Sequence, residues 1–125
     1  MLAPQQNPVG WFELYVQDMA RARAFYEGTL QVTLTPLESP GITMLAFPMN
    51  FGLPGATGAL VHAPGVPSGG STMVYFSCVD CAEEAARAAQ HGGKIFKPKF
   101  SIGQYGFISL VHDTEGNLIG LHSTQ

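Results

Sequence analysis

The stretch W-F-E-L-Y-V-Q-D-M-A-R-A-R-A-F-Y-E, Trp11 to Glu27, decides the fold. Residues 9–16 alternate: Phe12, Leu14 and Val16 fall on one face, and Trp11, Glu13 and Tyr15 on the other. That period of two is a β-strand. Asp18 is placed to cap a helix that begins at Met19 and that Gly28 ends. Ala22, Phe25 and Tyr26, at spacings of three and four, give that helix a face to lay on a sheet. Glu13 is the anomaly. A carboxylate in an apolar strand is costly unless it faces water or a cavity where it has a partner.

Downstream, 31–37, 42–48 and 57–62 read as three short strands, with the Gly/Pro loop M-N-F-G-L-P-G-A between the last two. Pro36 favours an edge. A-P-G-V-P-S-G-G, residues 63–70, is the most linker-like stretch. After it the pattern restarts. Residues 71–79 read as a strand, and Asp80 with Glu83 forms a D-x-x-E capping box. The alanines 82, 85, 86 and 89 mark a helix face, and Gly92 and Gly93 end that helix. Strands at 93–97, 104–112 and 118–123 follow, the last two joined by the turn D-T-E-G-N, 113–117. The expectation is an α+β fold of one domain spanning 1–125: a βαβββ repeat over about 8–62, a linker at 63–70, and a second repeat over about 71–123. The two repeats form a curved, cup-like mixed sheet with the helices on its outside.

Composition bounds the function. The chain has 125 residues, of which 46% are hydrophobic and 12% charged, enough apolar content for a packed core. Its formal charge is −3 and it has no basic run, which argues against nucleic acid. No apolar run approaches the ~20 residues of a membrane span. The start, M-L-A-P-Q-Q-N-P-V-G, lacks the pattern of a secretory signal, so a cytoplasmic location is expected. Cys78 and Cys81 are spaced as a redox dithiol or half a zinc site would be. Structural zinc needs four ligands, however, and no second cysteine pair exists. A redox thiolate beside Asp80 would be disfavoured. The pair reads as two small buried thiols.

In each repeat the helix covers one sheet face. The bare faces turn inward and make a cup, the usual place for a small ligand. Trp11, Glu13 and Tyr15 line it, with Glu13 partly desolvated. Phe76, taken to share a face with Val74, adds apolar lining, and Tyr75 falls on the helix side. Tyr105 and Phe107 follow the loop K-P-K-F-S-I-G-Q, whose Lys97 and Lys99 read as solvated. His91 suits a helix C-terminus, and His112 precedes the Asp113 turn.

The repeat order, the opening F-E-L-Y-V-Q-D-M-A-R-A-R-A-F-Y-E and the closing V-H-D-T-E-G-N-L-I-G-L-H resemble the vicinal oxygen chelate superfamily of glyoxalases, bleomycin-resistance proteins and extradiol dioxygenases. The resemblance implies a homodimer that binds a small molecule, and in the metal enzymes a divalent ion at the cup floor. Aligned on the family's ligand positions stand Trp11, Val74 and Gly120, none of which ligates a metal through its side chain; the fourth lies near Leu60. No cofactor is therefore expected at the usual site. A divalent metal remains possible at a displaced one formed by Glu13, His62 and His122, which are suitable ligand types. The resemblance leaves two readings. One is a metal-free binder of a mostly apolar molecule, using Trp11, Glu13, Tyr15, Phe76, Tyr105, Phe107 and His122. The other is a glyoxalase- or isomerase-like enzyme with Glu13 as general base or displaced metal ligand.

Overall fold

The computed structural model describes Val9 and residues 11–50, 52–70 and 72–125, the side chain of Tyr105 excepted. Residues 1–8 of the N-terminal stretch read for a signal lie outside these residues, as do Gly10, Phe51 and Ser71.

The elements are β1 (Trp11–Tyr15), α1 (Met19–Leu30), β2 (Thr35–Leu37), β3 (Thr43–Ala46), β4 (Thr57–His62), β5 (Tyr75–Ser77), α2 (Cys81–Gln90), β6 (Lys94–Ser101), β7 (Phe107–His112) and β8 (Leu118–Ser123), with a 3₁₀ turn at Gly103–Tyr105. They form two four-stranded mixed sheets, β1-β4-β3-β2 and β5-β8-β7-β6. In each, the opening strand pairs parallel to the last strand of its repeat and the other pairings are antiparallel. The α+β architecture of two βαβββ units is thus the one expected.

Asp18 caps α1 by accepting the Arg21 N–H at 3.0 Å. The helix does not stop at Gly28. It runs to Leu30, and Gln31 takes the left-handed conformation (φ 56°) that closes it. Gly28 serves a different purpose: a Cβ there would collide with the ring of His91, so its absence lets the two helices approach. Asp80 caps α2 through the Ala82 N–H. The side chain that reaches back is that of Glu84, to the Val79 N–H at 3.3 Å, not that of Glu83.

Both helices share one core with the inner faces of both sheets. Leu14, Val16, Phe25, Tyr26, Leu45, Phe47 and Leu60 from the first repeat join Cys81, Ala85, Ala88, Val111, Ile119 and Leu121 from the second. Leu34, Leu60, Ile119 and Leu121 are essentially removed from water; each contributes roughly 1.5–3 kcal/mol. The rings of Phe12, Tyr26, Phe47 and Phe76 meet at centroid distances of 5.6–5.9 Å, bridging the repeats.

A buried polar knot locks the same junction. Glu115 accepts the N–H groups of Gln17 and Asp18, both at 2.9 Å, and both Nε and Nη2 of Arg21 at 2.7 and 2.9 Å. Asp113 accepts the Tyr26 hydroxyl at 2.6 Å and the Glu115 and Asn117 N–H groups at 2.8 Å. Asn117 in turn accepts the Gly69 N–H at 2.6 Å. The β7–β8 turn therefore holds the β1–α1 corner and the connection between the repeats in register.

Candidate functional site

The parity of β1 is as its sequence pattern requires. Leu14 and Val16 are buried in the core and Phe12 packs against it. Trp11, Glu13 and Tyr15 lie on the other face. There the Glu13 carboxylate is held on both sides: the Trp11 indole Nε1 donates to one oxygen and the Tyr15 hydroxyl to the other, each at 3.2 Å. Glu13 itself is exposed, not desolvated as expected, and the two bonds orient its carboxylate at the surface of this face. The Tyr15 phenol, donating to this carboxylate and lying within its field, is raised above its ordinary pKa. The floor beneath is small: Ala59 pairs with Glu13, Val61 with Tyr15, and Ala46 lies opposite Ala59.

In β5 the parity differs from the sequence reading by one residue. Val74, Phe76 and Cys78 pack on the core side. Tyr75 is on the open face and is 51% exposed. Phe76 thus packs against the aromatic core while also bordering the cleft between β1 and β5, and Tyr75, expected to be structural, faces outward. Phe107 likewise packs toward the core, with Lys99 Nζ 4.7 Å over its ring. Lys99 is engaged by Asp80 at 2.8 Å and Lys97 sits 4.1 Å over Phe100, so both are held by neighbours and not simply solvated as expected. His122 shares the open face of the second sheet with Ile108 and Tyr75. The side chain of Tyr105 lies outside the described residues.

Between β1 and β5 runs a cleft of about 710 Å³, lined by Trp11, Glu13, Val74, Tyr75, Phe76 and Met73 among others. It continues toward a shallower hollow bounded by Tyr75, Ser77, Ile102, Ile108 and His122. The walls are mostly apolar and aromatic, and Glu13 is the one carboxylate among the described residues of the cleft. That chemistry suits a planar, largely apolar molecule carrying a hydrogen-bond donor.

The metal positions do not fit a divalent ion. Trp11 offers only an N–H donor, Val74 points to the core, and Gly120 has no side chain. The space a Cβ at Gly120 would take is occupied by the ring of Tyr75. The displaced set fares no better. His62 pairs with Thr43 and shares its face with Leu60, on the side of the sheet opposite Glu13. Among the described residues no three of His, Cys, Asp or Glu come together to hold a metal ion. Cys78 and Cys81 are both free thiols. Burial, reinforced by the neighbouring Glu84 carboxylate, pushes the Cys78 thiol up to about 12, far from a reactive thiolate. Glu115 was read only as a turn residue; nothing local in D-T-E-G-N reveals that its carboxylate reaches a corner 94 to 98 positions away.

The chain belongs to the Glyoxalase/Bleomycin resistance protein/Dioxygenase superfamily, whose family model matches residues 9–121. Solved structures with the same fold include a glyoxalase-related enzyme from Fulvimarina pelagi, 18% identical over 95% of this chain and 88% of that one, with a TM-score of 0.71. Glyoxalase I from Zea mays is 22% identical with a TM-score of 0.73. The match covers 94% of this chain and 46% of the maize chain, so the present chain spans about half of that enzyme. TnmS3, an antibiotic binding protein from Streptomyces sp. CB03234, is 24% identical over 98% of this chain and 100% of that one, with a TM-score of 0.69. No curated protein matches the chain. Among the described residues no helix is long and apolar enough to cross a membrane.

Proposed function

We propose that the protein is a small-molecule binding protein of the cytoplasm that takes a planar, mostly apolar ligand in the β1–β5 cleft without a metal at the family's usual site. The observation that carries this reading is the Trp11–Glu13–Tyr15 constellation. Two aromatic side chains aim one carboxylate over an apolar cleft. Such a site offers stacking area and one charged acceptor, a recipe for orienting a ligand. The fold accommodates the use: TnmS3 is an antibiotic binding protein. Val9, Trp11 and Tyr75 leave apolar surface exposed around the cleft. We infer that a second copy of the chain covers this surface and closes the site, which sedimentation velocity would report as a dimer.

The test is a binding screen of planar aromatic compounds with wild type, Trp11→Ala and Glu13→Gln, beside assays of glyoxalase-type turnover with and without added nickel, zinc, manganese or iron(II). The proposal expects binding that weakens about tenfold or more in Trp11→Ala, and no turnover under any metal. Turnover that vanishes in Glu13→Gln while the fold persists would replace the binder by an enzyme with Glu13 as its base.

A further inference from the structure

A second pocket lies on the opposite side of the Phe12 and Phe76 rings, facing the helices. It measures about 280 Å³ and is lined mostly by apolar side chains, Phe12, Phe47 and Phe76 among them, with Thr57, Ser77 and, as the one charged residue among those described, Glu84. Glu84 projects from the first turn of α2 with 10% of its side chain accessible. Its Oε1 is shielded from water and has no hydrogen-bond partner among the described residues. Its Oε2 is poorly served, by the Val79 N–H at 3.3 Å and by Arg87 Nη2 at 3.9 Å. Arg87 is committed elsewhere, its Nε donating to the Thr29 carbonyl at 2.9 Å. The Cys78 thiol also lies against this carboxylate, but a thiol is a weak donor and leaves the charge uncompensated, so a carboxylate desolvated to this degree is costly.

We propose that this pocket is a binding site for an organic ammonium with an apolar or aromatic body, and that Glu84 is its counter-ion. The chemistry of the walls selects that class. The pocket's sole charge is negative, so an anion is repelled. One carboxylate with the hydroxyl residues Thr57 and Ser77 is too poor a donor set for a bare metal ion. A neutral alcohol would donate one hydrogen bond but leave the charge uncompensated. An ammonium supplies both the charge and several donors, and the faces of Phe12, Phe47 and Phe76 attract a cation as well as its hydrocarbon body. The site shares the rings of Phe12 and Phe76 with the Trp11–Glu13–Tyr15 cleft but has its own charge, and its existence does not depend on what that cleft binds.

The experiment is an NMR titration of the isotope-labelled protein with phenethylammonium chloride and, in parallel, phenethyl alcohol, which has the same body without the charge. The expected result is saturable shifts in the Leu30 and Val32 methyls and in the Glu84 carboxyl carbon with the ammonium, and affinity for the alcohol at least tenfold weaker. In Glu84→Gln that preference collapses toward unity. If the variant does not fold, the wild-type ammonium-to-alcohol ratio and the map of shifted residues still decide. Equal affinity for the two probes overturns the proposal. So does the absence of saturable shifts at millimolar probe, or shifts centred on Trp11 and Tyr75 instead.

Discussion

Removing the carboxylate of Glu115 should unfasten the two repeats, and the structure gives the size of the effect. In Glu115→Ala the N–H groups of Gln17 and Asp18 lose their acceptor. Left dry, each costs about 1–3 kcal/mol. Arg21 loses a paired contact too, but its side chain is 51% exposed, so that loss is worth about 1 kcal/mol or less. The sum is about 2–7 kcal/mol, set against a total of roughly 5–15 kcal/mol for a domain. The same carboxylate writes a pH signature. Burial alone would raise its pKa, but the bonds from Arg21, the Asp18 and Gln17 N–H groups and the Thr114 hydroxyl outweigh it and hold the group at about 2, against an ordinary 4.5. A folded-state pKa below the unfolded value means stability fully present above pH 4.5 and lost as pH falls toward 2. The amount at stake is on the order of 3 kcal/mol. Urea denaturation at a series of pH values, on wild type, Glu115→Gln and Glu115→Ala, measures both effects. Wild type should lose stability relative to the variants between pH 4.5 and 2 and the curves should converge at the acid end. A Glu115→Ala midpoint equal to that of wild type at pH 7, or parallel acid limbs, would mean that this carboxylate does not fasten the repeats.

The neighbouring bond carries its own test. Tyr26→Phe removes the hydroxyl that donates to Asp113 at 2.6 Å inside the core, and should lower stability by about 1.5–3 kcal/mol while leaving the fold intact, read by thermal and denaturant unfolding. Cys78, with its thiol pushed up to about 12, and the fully buried Cys81 should resist iodoacetamide in the native protein at pH 8 and react promptly on unfolding; fast native alkylation would contradict the burial described.

Much of the fold was legible because β1, β4, β7 and β8 carry strong local signals, whereas β6 runs on to Ser101 through residues that Pro98 and the charges of Lys97 and Lys99 made read as a loop. In β1 one parity is purely aliphatic or Phe and the other includes Glu13, so the faces separate cleanly. In 71–79 both parities are apolar, Val74 and Phe76 on one and Met73 and Tyr75 on the other, so alternation is silent and the strand's facing came out inverted. The same one-residue ambiguity misplaced His62. The positions of β4 that match Gly120 and His122 in facing are Ala59 and Val61, as their pairing with β1 and β3 shows. Gly28 was read as a helix terminator because glycine usually is one there; its real task, clearance for His91, depends on a tertiary contact that no local rule encodes. The hydrogen bonds of Glu115 and the isolation of Glu84 are long-range facts of the same kind.

Trp11 is the chain's single tryptophan, and it donates to Glu13 at the cleft mouth. Its fluorescence therefore reports the site without a label. The most direct measurement is a titration of chelator-treated protein with planar aromatic ligands, followed by Trp11 emission. The account predicts a saturable change that excess chelator does not abolish and that Glu13→Gln weakens. A response that appears only after a divalent ion is restored would contradict it.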